Sequence, residues 1–177
     1  MKTLLKMGVL VCFVATAFTM AWFKSYNMSL DYFNHAESMR NNGDYVTALK
    51  GMNKLELRRT DAYLGGYQQV IETWEETRYA PRPDFFFEAK ERVNNIFVHL
   101  STEELLNFIE IYVELDMRYV PAAALVLLER AKFERNNPLA LEMEEFLWEA
   151  FPTVYVEHIA SVGTEYPQVN TNIEAGF

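Results

Sequence analysis

The chain has 177 residues, a formal net charge of −9 and a pI near 4.9. The phosphates of nucleic acid repel so acidic a protein, which excludes nucleic-acid binding as its role. Aromatic residues make up 15% of the chain, more than a small helical core usually needs, and they are enriched at protein interfaces. We therefore expect its partners to be other proteins.

The first predicted element is an apolar segment near the N-terminus, residues 4–23. As a helix, about 20 residues that rise 1.5 Å each match the roughly 30 Å hydrocarbon core of a bilayer. Aromatic rings and long basic side chains favour the boundary between lipid and water. The residues of this kind that we expect at the membrane interface are Lys6, Trp22, Phe23, Lys24 and Tyr26.

A cleaved secretory signal is the competing interpretation, with Lys2 and Lys6 before the apolar residues and a small-residue cleavage pattern at 15–17. Cleavage there would leave the mostly apolar residues 18–23 at the mature N-terminus, so an uncleaved anchor is favoured. The excess of positive charge before the segment predicts a cytoplasmic N-terminus. In a bacterium, the chain would then be a single-pass inner (cytoplasmic) membrane protein with residues 24–177 in the periplasm.

The rest of the chain predicts helices separated by turns. Neither Gly nor Pro occurs between Val9 and Asn42, so the first helix either continues beyond the membrane or breaks at Ser29, the one plausible N-cap. Hydrophobic spacing and capping residues predict further helices at 44–57, 67–80, 84–100, 101–117, 121–134 and 139–151. Residues 153–161 suit either a last short helix or a strand, and the segment after Gly163 suits an extended tail.

Three of these helices have clear start signals. Gly43 suits the left-handed conformation that closes a helix, and Asp44 is placed to cap the next one. The Thr-Asp pair at 60–61 is the expected cap of the following helix. Ser101 and Glu104 form a capping box, in which each side chain serves a backbone N–H of the other, and this is the strongest helix start in the chain.

Small and bulky residues follow a recognisable order around the first turn: Tyr32, Ala36, the turn Asn42-Gly43-Asp44-Tyr45, Ala48 and Met52. Alanines let two helices approach closely, and Gly43 permits the tight turn between them. Residues 32–55 therefore resemble one tetratricopeptide repeat (TPR), a 34-residue helix-turn-helix unit. A weaker echo of the pattern follows in the helices predicted at 101–117 and 121–134.

Successive helix pairs would begin near residues 29, 61, 101 and 138, at intervals typical of stacked helical repeats. The resemblance implies an all-α fold, in which an N-terminal transmembrane helix precedes a TPR-like array of antiparallel helix hairpins. The expected divisions are a transmembrane signal-anchor helix and stalk (1–28), a TPR-like α-helical domain (29–162) and an extended C-terminal tail (163–177). A TPR-like fold implies an interaction scaffold and implies no enzymatic activity.

The titratable residues predict no catalytic, cofactor or metal site. His35, His99 and His158 lie in different predicted segments, and a lone histidine with one carboxylate nearby does not make a zinc site. The sequence has no C-x-x-C, no Gly-rich phosphate loop and no G-x-S-x-G motif. The alternative is a helical-bundle enzyme or cofactor-binding protein that uses carboxylates with His35 or His99.

Candidate partner-binding residues are surplus aromatic residues and a carboxylate stripe on the helix at 139–151: Tyr32, Tyr45, Phe86, Phe87, Glu142, Glu145, Glu149 and Phe177. The three glutamates recur at spacings of three and four, which suits either a solvated face or a docking surface for a basic partner. The predicted function is a non-enzymatic, membrane-anchored interaction scaffold, an accessory or assembly subunit of a larger inner-membrane protein complex. Its expected partners are membrane or periplasmic proteins and the lipid bilayer, and no cofactor is expected.

Overall fold

A computed structural model describes residues 2–52, 63–77 and 80–163, and every regular element in these ranges is helical. The helices are α1 (Lys2–Asn41), α2 (Tyr45–Lys50), α3 (Tyr67–Glu75), α4 (Asp84–Ile96), α5 (Thr102–Leu115), α6 (Val120–Phe133), α7 (Asn137–Ala150) and α8 (Pro152–Gly163). Short 3₁₀ turns follow α4 at Phe97–His99 and precede α6 at Met117–Tyr119. The all-α prediction is confirmed, and the segment predicted as helix or strand, residues 153–161, is helical. The cap predicted at 60–61 and the tail after Gly163 lie outside the described residues.

The chain forms two compact units, Met1–Leu100 and Ser101–Phe177. In the first unit, the C-terminal half of α1 packs against α2 and α3, and α3 packs against α4. In the second unit, α5, α6, α7 and α8 pack each against the next. The boundary between Leu100 and Ser101 falls inside the range 29–162 that the sequence predicts as one domain. The arrangement of the hairpins as TPR-like repeats stays a prediction.

Helix α1 is continuous over 40 residues, about 60 Å at the usual helical rise. It does not break at Ser29, whose buried hydroxyl donates to the carbonyl oxygens of Ser25 (2.7 Å) and Tyr26 (3.1 Å) of the preceding turn and so does not cap a new helix. The part of α1 from Lys6 to Asn41 is long and apolar enough to cross a membrane, and its apolar window is unburied. A signal sequence has the same length and composition, so these two properties alone do not distinguish an anchor from a signal.

Helix α2 ends at Lys50, seven residues before the predicted end of this helix at 57. Asp44 caps it as predicted, since its Oδ1 accepts from the backbone N–H of Thr47 at 3.0 Å. The helix stops because Gly51 has φ +80 and its backbone lies against Gly65 and Gly66, so close that an added Cβ would be 2.7 Å from the Gly65 Cα. Gly51, the residue after α2, thus lies in close contact with Gly65 and Gly66, the residues just before α3.

An ionic cluster beside the core of the first unit links α1, α3 and α4. The Tyr67 hydroxyl donates to Glu37 Oε1 at 2.6 Å, and Arg92 Nε donates to the same oxygen at 3.1 Å. Burial, and then the hydrogen bond to the Glu37 carboxylate, raise the pKa of Tyr67 above its ordinary value. The hydrogen bond that Arg92 itself donates to Glu37 raises the pKa of Arg92. Tyr67 therefore stays protonated and Arg92 stays charged.

The apolar residues of α6 occupy nearly all of its faces, a pattern that predicts a buried helix, and the second unit is built around it. Its inward residues are small or aliphatic and nearly inaccessible to solvent: Val120, Ala123, Ala124, Leu127, Leu128 and Ala131. The capping box that starts α5 is confirmed, because the Ser101 N–H donates to Glu104 Oε2 at 2.7 Å and the Glu104 N–H donates back to Ser101 Oγ at 3.2 Å. The Ser101 N–H and the Ser101 hydroxyl both donate to Glu104 Oε2, and these two hydrogen bonds lower the pKa of Glu104.

Candidate membrane-interface site

The predicted interface residues lie where α1 leaves the apolar segment and enters the first unit. Trp22 and Tyr26 are half-buried, whereas Lys6, Phe23 and Lys24 are exposed. Residues four apart share a helix face, so Trp22 and Tyr26 point to the same side of α1. The sequence grouped all of these residues as facing lipid headgroups, but the structure turns these two towards α3 and α4.

Four aromatic rings join α1 to α3 and α4. Trp22 stacks on Tyr26 with centroids 5.2 Å apart, and it meets Trp74 of α3 edge to face at 6.0 Å. Tyr26 meets Phe85 of α4 edge to face at 5.4 Å. Such pairs add about 0.5–1.5 kcal/mol each beyond the burial of their area. The aromatic junction, as we call Trp22, Tyr26, Trp74 and Phe85, therefore fixes α1 against the helices that follow it.

Two hydrogen bonds from indole N–H groups fix the position of α1 relative to α3 and the loop that follows α3. Trp22 Nε1 donates to the carbonyl oxygen of Pro81 at 3.1 Å, across 59 residues of sequence. Trp74 Nε1 donates to Ser29 Oγ at 2.9 Å, and both of these residues are buried. A buried N–H that loses its acceptor costs about 1–3 kcal/mol, so sliding or rotating α1 by one residue is strongly opposed.

The loop between α3 and α4 is stabilised by an arginine that belongs to it. Arg82 donates from Nε to the carbonyl oxygen of Trp74 (3.0 Å) and from Nη2 to that of Glu75 (3.1 Å). These carbonyls end α3, where a positive charge is favourable. The guanidinium also lies 5.2 Å from the centroid of the Phe86 ring. The loop is thus fixed at the position where Pro81 meets Trp22.

A small cavity of about 150 Å³ opens beside the aromatic junction, between α1 and α3. Phe18 and Trp22 line one side of it, and Thr73 and Trp74 line the other. Among the described residues, the lining offers aromatic and methyl surface without an acid, base or thiol. Such a surface suits an apolar group.

The predicted partner-binding residues of the first unit have different environments. Tyr32 is half-buried and meets Tyr63 edge to face, and Tyr45 is half-buried and stacks on His99 with centroids 5.2 Å apart. Phe86 is only 1% exposed, because α4 turns it into the core, and it cannot meet a partner there. Phe87, the next residue, is 57% exposed. Of the adjacent phenylalanines, only Phe87 is therefore available at the surface.

In the second unit, Glu142, Glu145 and Glu149 are exposed on α7, as the stripe pattern predicted. Two large apolar residues that sequence reasoning did not select lie beside them, Leu141 and Trp148, which are 66% and 59% exposed. Leu141, Glu145 and Trp148 are spaced by four and three residues, so they share one face of α7. Phe177 lies outside the described residues.

The histidines do not form a shared site. His99 stacks on Tyr45 in the first unit, whereas His158 Nε2 lies 3.0 Å from Glu129 Oε1 in the second. Among the described residues, no group of three His, Cys, Asp or Glu side chains is placed to hold a metal ion.

Comparisons with known proteins add no relative from which a function is transferred. No protein-family model matches the chain, and searches of curated proteins and of solved structures gave no match. The TPR-like resemblance accordingly rests on residues 32–55 and on the weaker echo in the helices predicted at 101–117 and 121–134.

Proposed function

We propose that this protein is a membrane-anchored, non-enzymatic scaffold, an accessory or assembly subunit of a larger inner-membrane protein complex. In this proposal, the N-terminal part of α1 spans the bilayer and presents the remaining chain to partners. The N-terminus lies in the cytoplasm, because Lys2 and Lys6 precede the span and only Lys24 follows closely. The soluble helices then lie in the periplasm of a bacterium.

The observation that carries the proposal is the bonded junction between the apolar helix and the first unit. Trp22 and Ser29 tie α1 to the folded unit, and the same unbroken helix continues into the apolar segment. Cleavage at 15–17 would cut through this continuous helix and leave its mostly apolar residues 18–23 on the folded unit. A helix whose N-terminal part is the apolar segment and whose C-terminal part packs against the folded unit is better suited to a permanent anchor than to a signal.

The exposed face of α7 supports a partner-binding role. Leu141 and Trp148 together expose apolar surface that water solvates poorly, and Glu145 lies between them on the same face. Tryptophan is enriched among residues that dominate binding energy at protein interfaces. The acidic stripe beside it favours a partner with basic side chains at the rim and an apolar centre.

The membrane part of the proposal is tested by extraction and by labelling. The full chain should stay with the membrane in alkaline carbonate, and its N-terminus should be intact after purification. For topology, a cysteine at Phe133, which is exposed, should react with a membrane-impermeant maleimide in intact spheroplasts of a Cys12→Ala variant. Release into the soluble fraction, a shortened N-terminus, or labelling only after lysis would contradict the proposed anchor or its orientation.

The scaffold part is tested by native electrophoresis and mass spectrometry in mild detergent. We expect the chain to migrate with stoichiometric partners, and Trp148→Ala to release them. Phe133→Ala is the matched control, because this aromatic side chain is also exposed and lies on α6 of the same unit. A monomer in the wild type would refute the scaffold, and equal release by both variants would show that α7 is not the docking face.

A further inference from the structure

Helix α3 runs back along α1 towards the apolar segment. Tyr67, at the start of α3, donates to Glu37, whereas Trp74, two turns later, donates to Ser29. Of these two acceptors on α1, Ser29 lies nearer to the apolar segment by about 12 Å along the helix axis. The end of α3 consequently lies beside the last turns of that segment.

The cavity beside the aromatic junction opens at this place, and the residues of α1 that line it set its depth. These residues are Phe18, Ala21, Trp22 and Ser25. The first three belong to the apolar segment, residues 4–23, and Phe18 lies about 7.5 Å below the end of this segment. In a bilayer spanned by residues 4–23, most of the cavity therefore lies at the depth of the acyl chains, and only its upper end, at Ser25, lies above them.

The hydrogen-bond donors around the cavity are bonded to the protein itself. The two indole N–H groups donate to a loop carbonyl and to a serine of α1. The Thr73 hydroxyl donates to the carbonyl oxygen of Gln69 at 2.7 Å. The Thr77 hydroxyl donates to that of Trp74, also at 2.7 Å. Among the described lining residues, Ser25 contributes the remaining hydroxyl, whereas a bound water needs about two to four polar partners. The cavity therefore suits a hydrocarbon chain better than water.

We propose that this cavity binds one acyl chain of a membrane phospholipid, which fills the corner between α1 and the end of α3. The inference rests on the proposed function, because it requires residues 4–23 to span the bilayer. The volume of the cavity is about 150 Å³. It equals about five times the 30 Å³ share of a water molecule, so the cavity holds a short stretch of a chain and leaves the rest outside.

The surface of α1 below the cavity offers a continuous path for the rest of the chain. Phe18, at the lower end of the cavity, is 54% exposed, and Val14, one turn further down, is 59% exposed. Residues four apart share a helix face, so these side chains form one apolar strip. Acyl chains cover such a strip in a bilayer, and one of them reaches the cavity without leaving the hydrocarbon layer.

The test uses the full chain in phosphatidylcholine vesicles that include a phosphatidylcholine with a photoreactive diazirine in its acyl chain. After illumination, mass spectrometry locates the labelled residues. We expect label on exposed residues of the apolar segment, such as Phe13, and also on α3, at Thr73 or Thr77. Label on Phe13 without label on α3 would refute the cavity site and leave the anchor standing. No label at either place would refute both.

Filling the cavity separates a bound chain from lipid that merely lies near α3. Ala21→Phe should abolish the label on α3 and leave the label on Phe13 unchanged. Ala15→Phe is the matched control, because Ala15 is exposed on the same segment and lies outside the lining of the cavity. Ala21→Leu should lower the label on α3 in part, and it gives the same comparison if Ala21→Phe does not fold.

Two further results would overturn the proposal. One is a loss of the α3 label to the same extent in the variants at positions 15 and 21, or in neither of them. The other comes from native membranes supplied with the same photoreactive lipid. Label on Phe13 without label on α3 in these membranes, although vesicles give both, would show that a protein occupies the cavity in the cell.

Discussion

The hydrogen bond from Trp74 to Ser29 makes a prediction about what holds α1 in place. Ser29→Ala removes the only acceptor that the structure gives for the Trp74 indole N–H and leaves this donor buried. The alanine fits the helix and removes no apolar contact, so the variant tests the hydrogen bond with little change in packing.

The expected magnitude is the sum of two opposing effects. An unsatisfied buried donor costs about 1–3 kcal/mol. Replacement of serine by alanine within a helix returns up to about 0.5 kcal/mol through helix propensity. Ser29→Ala should therefore lower the free energy of unfolding by about 1–2 kcal/mol. In a Trp74→Phe background the donor is absent, and the same substitution should be neutral or slightly stabilising.

The assay is urea unfolding of the full chain in detergent micelles, followed by far-UV circular dichroism so that loss of an indole does not alter the signal. Ser38→Ala is the matched control, because this serine is exposed on the same helix and alanine should change stability by less than about 0.5 kcal/mol there. If Ser29→Ala behaves like Ser38→Ala, or costs as much in the Trp74→Phe background as in the wild type, the hydrogen bond does not hold α1.

Four further substitutions test the turns, the capping box and the ionic cluster. Gly43→Ala should lower the free energy of unfolding by about 1–2 kcal/mol, because Gly43 has a positive φ. Gly51→Ala should lower it by more, because a Cβ at position 51, unlike one at position 43, would overlap backbone atoms. Equal losses of stability in urea unfolding would contradict this. Ser101→Ala should cost about 1 kcal/mol and weaken the acid dependence of stability. Because the pKa of Glu104 is lowered in the folded state, Glu104 stabilises the fold above the ordinary carboxyl pKa and loses this effect as the pH falls. If stability falls as steeply at acid pH in Ser101→Ala as in the wild type, this reasoning is refuted. Tyr67→Phe should weaken the loss of stability at alkaline pH. The raised pKa of Tyr67 gives a stabilisation that is complete below about pH 10 and lost as the pH rises. A loss of stability as steep as in the wild type would argue against it.

Local chemistry explains what the sequence predicted well. The caps at Asp44 and Ser101 form within three residues, so their hydrogen bonds are readable from adjacent letters. The burial of α6 follows from apolar residues on nearly all of its faces. In both cases, the outcome depends on residues that are close in sequence, and distant parts of the chain do not alter it.

Long-range contacts explain what the sequence did not predict. Ser29 looked like a helix cap, but its partner Trp74 lies 45 residues away and holds it inside a continuous helix. Phe86 and Phe87 are adjacent and chemically identical, and only the position of the neighbouring helices decides which one is buried. Gly51 ends α2 because residues 65–66 approach it, which no local pattern indicates. The candidate site was therefore predicted by residue type, whereas the direction of its side chains was not.

The rigid junction has a mechanical consequence if α1 spans a membrane. From Trp22 to Asn41 the helix extends about 28 Å beyond the headgroup boundary. A tilt of about 20°, the average for membrane helices, would move Asn41 sideways by about 10 Å and carry the packed α3 and α4 with it. The aromatic contacts and the hydrogen bond from Trp74 to Ser29 would make the first unit follow the tilt of α1 as one body. The angle of the anchor would therefore set the angle at which the first unit stands on the membrane.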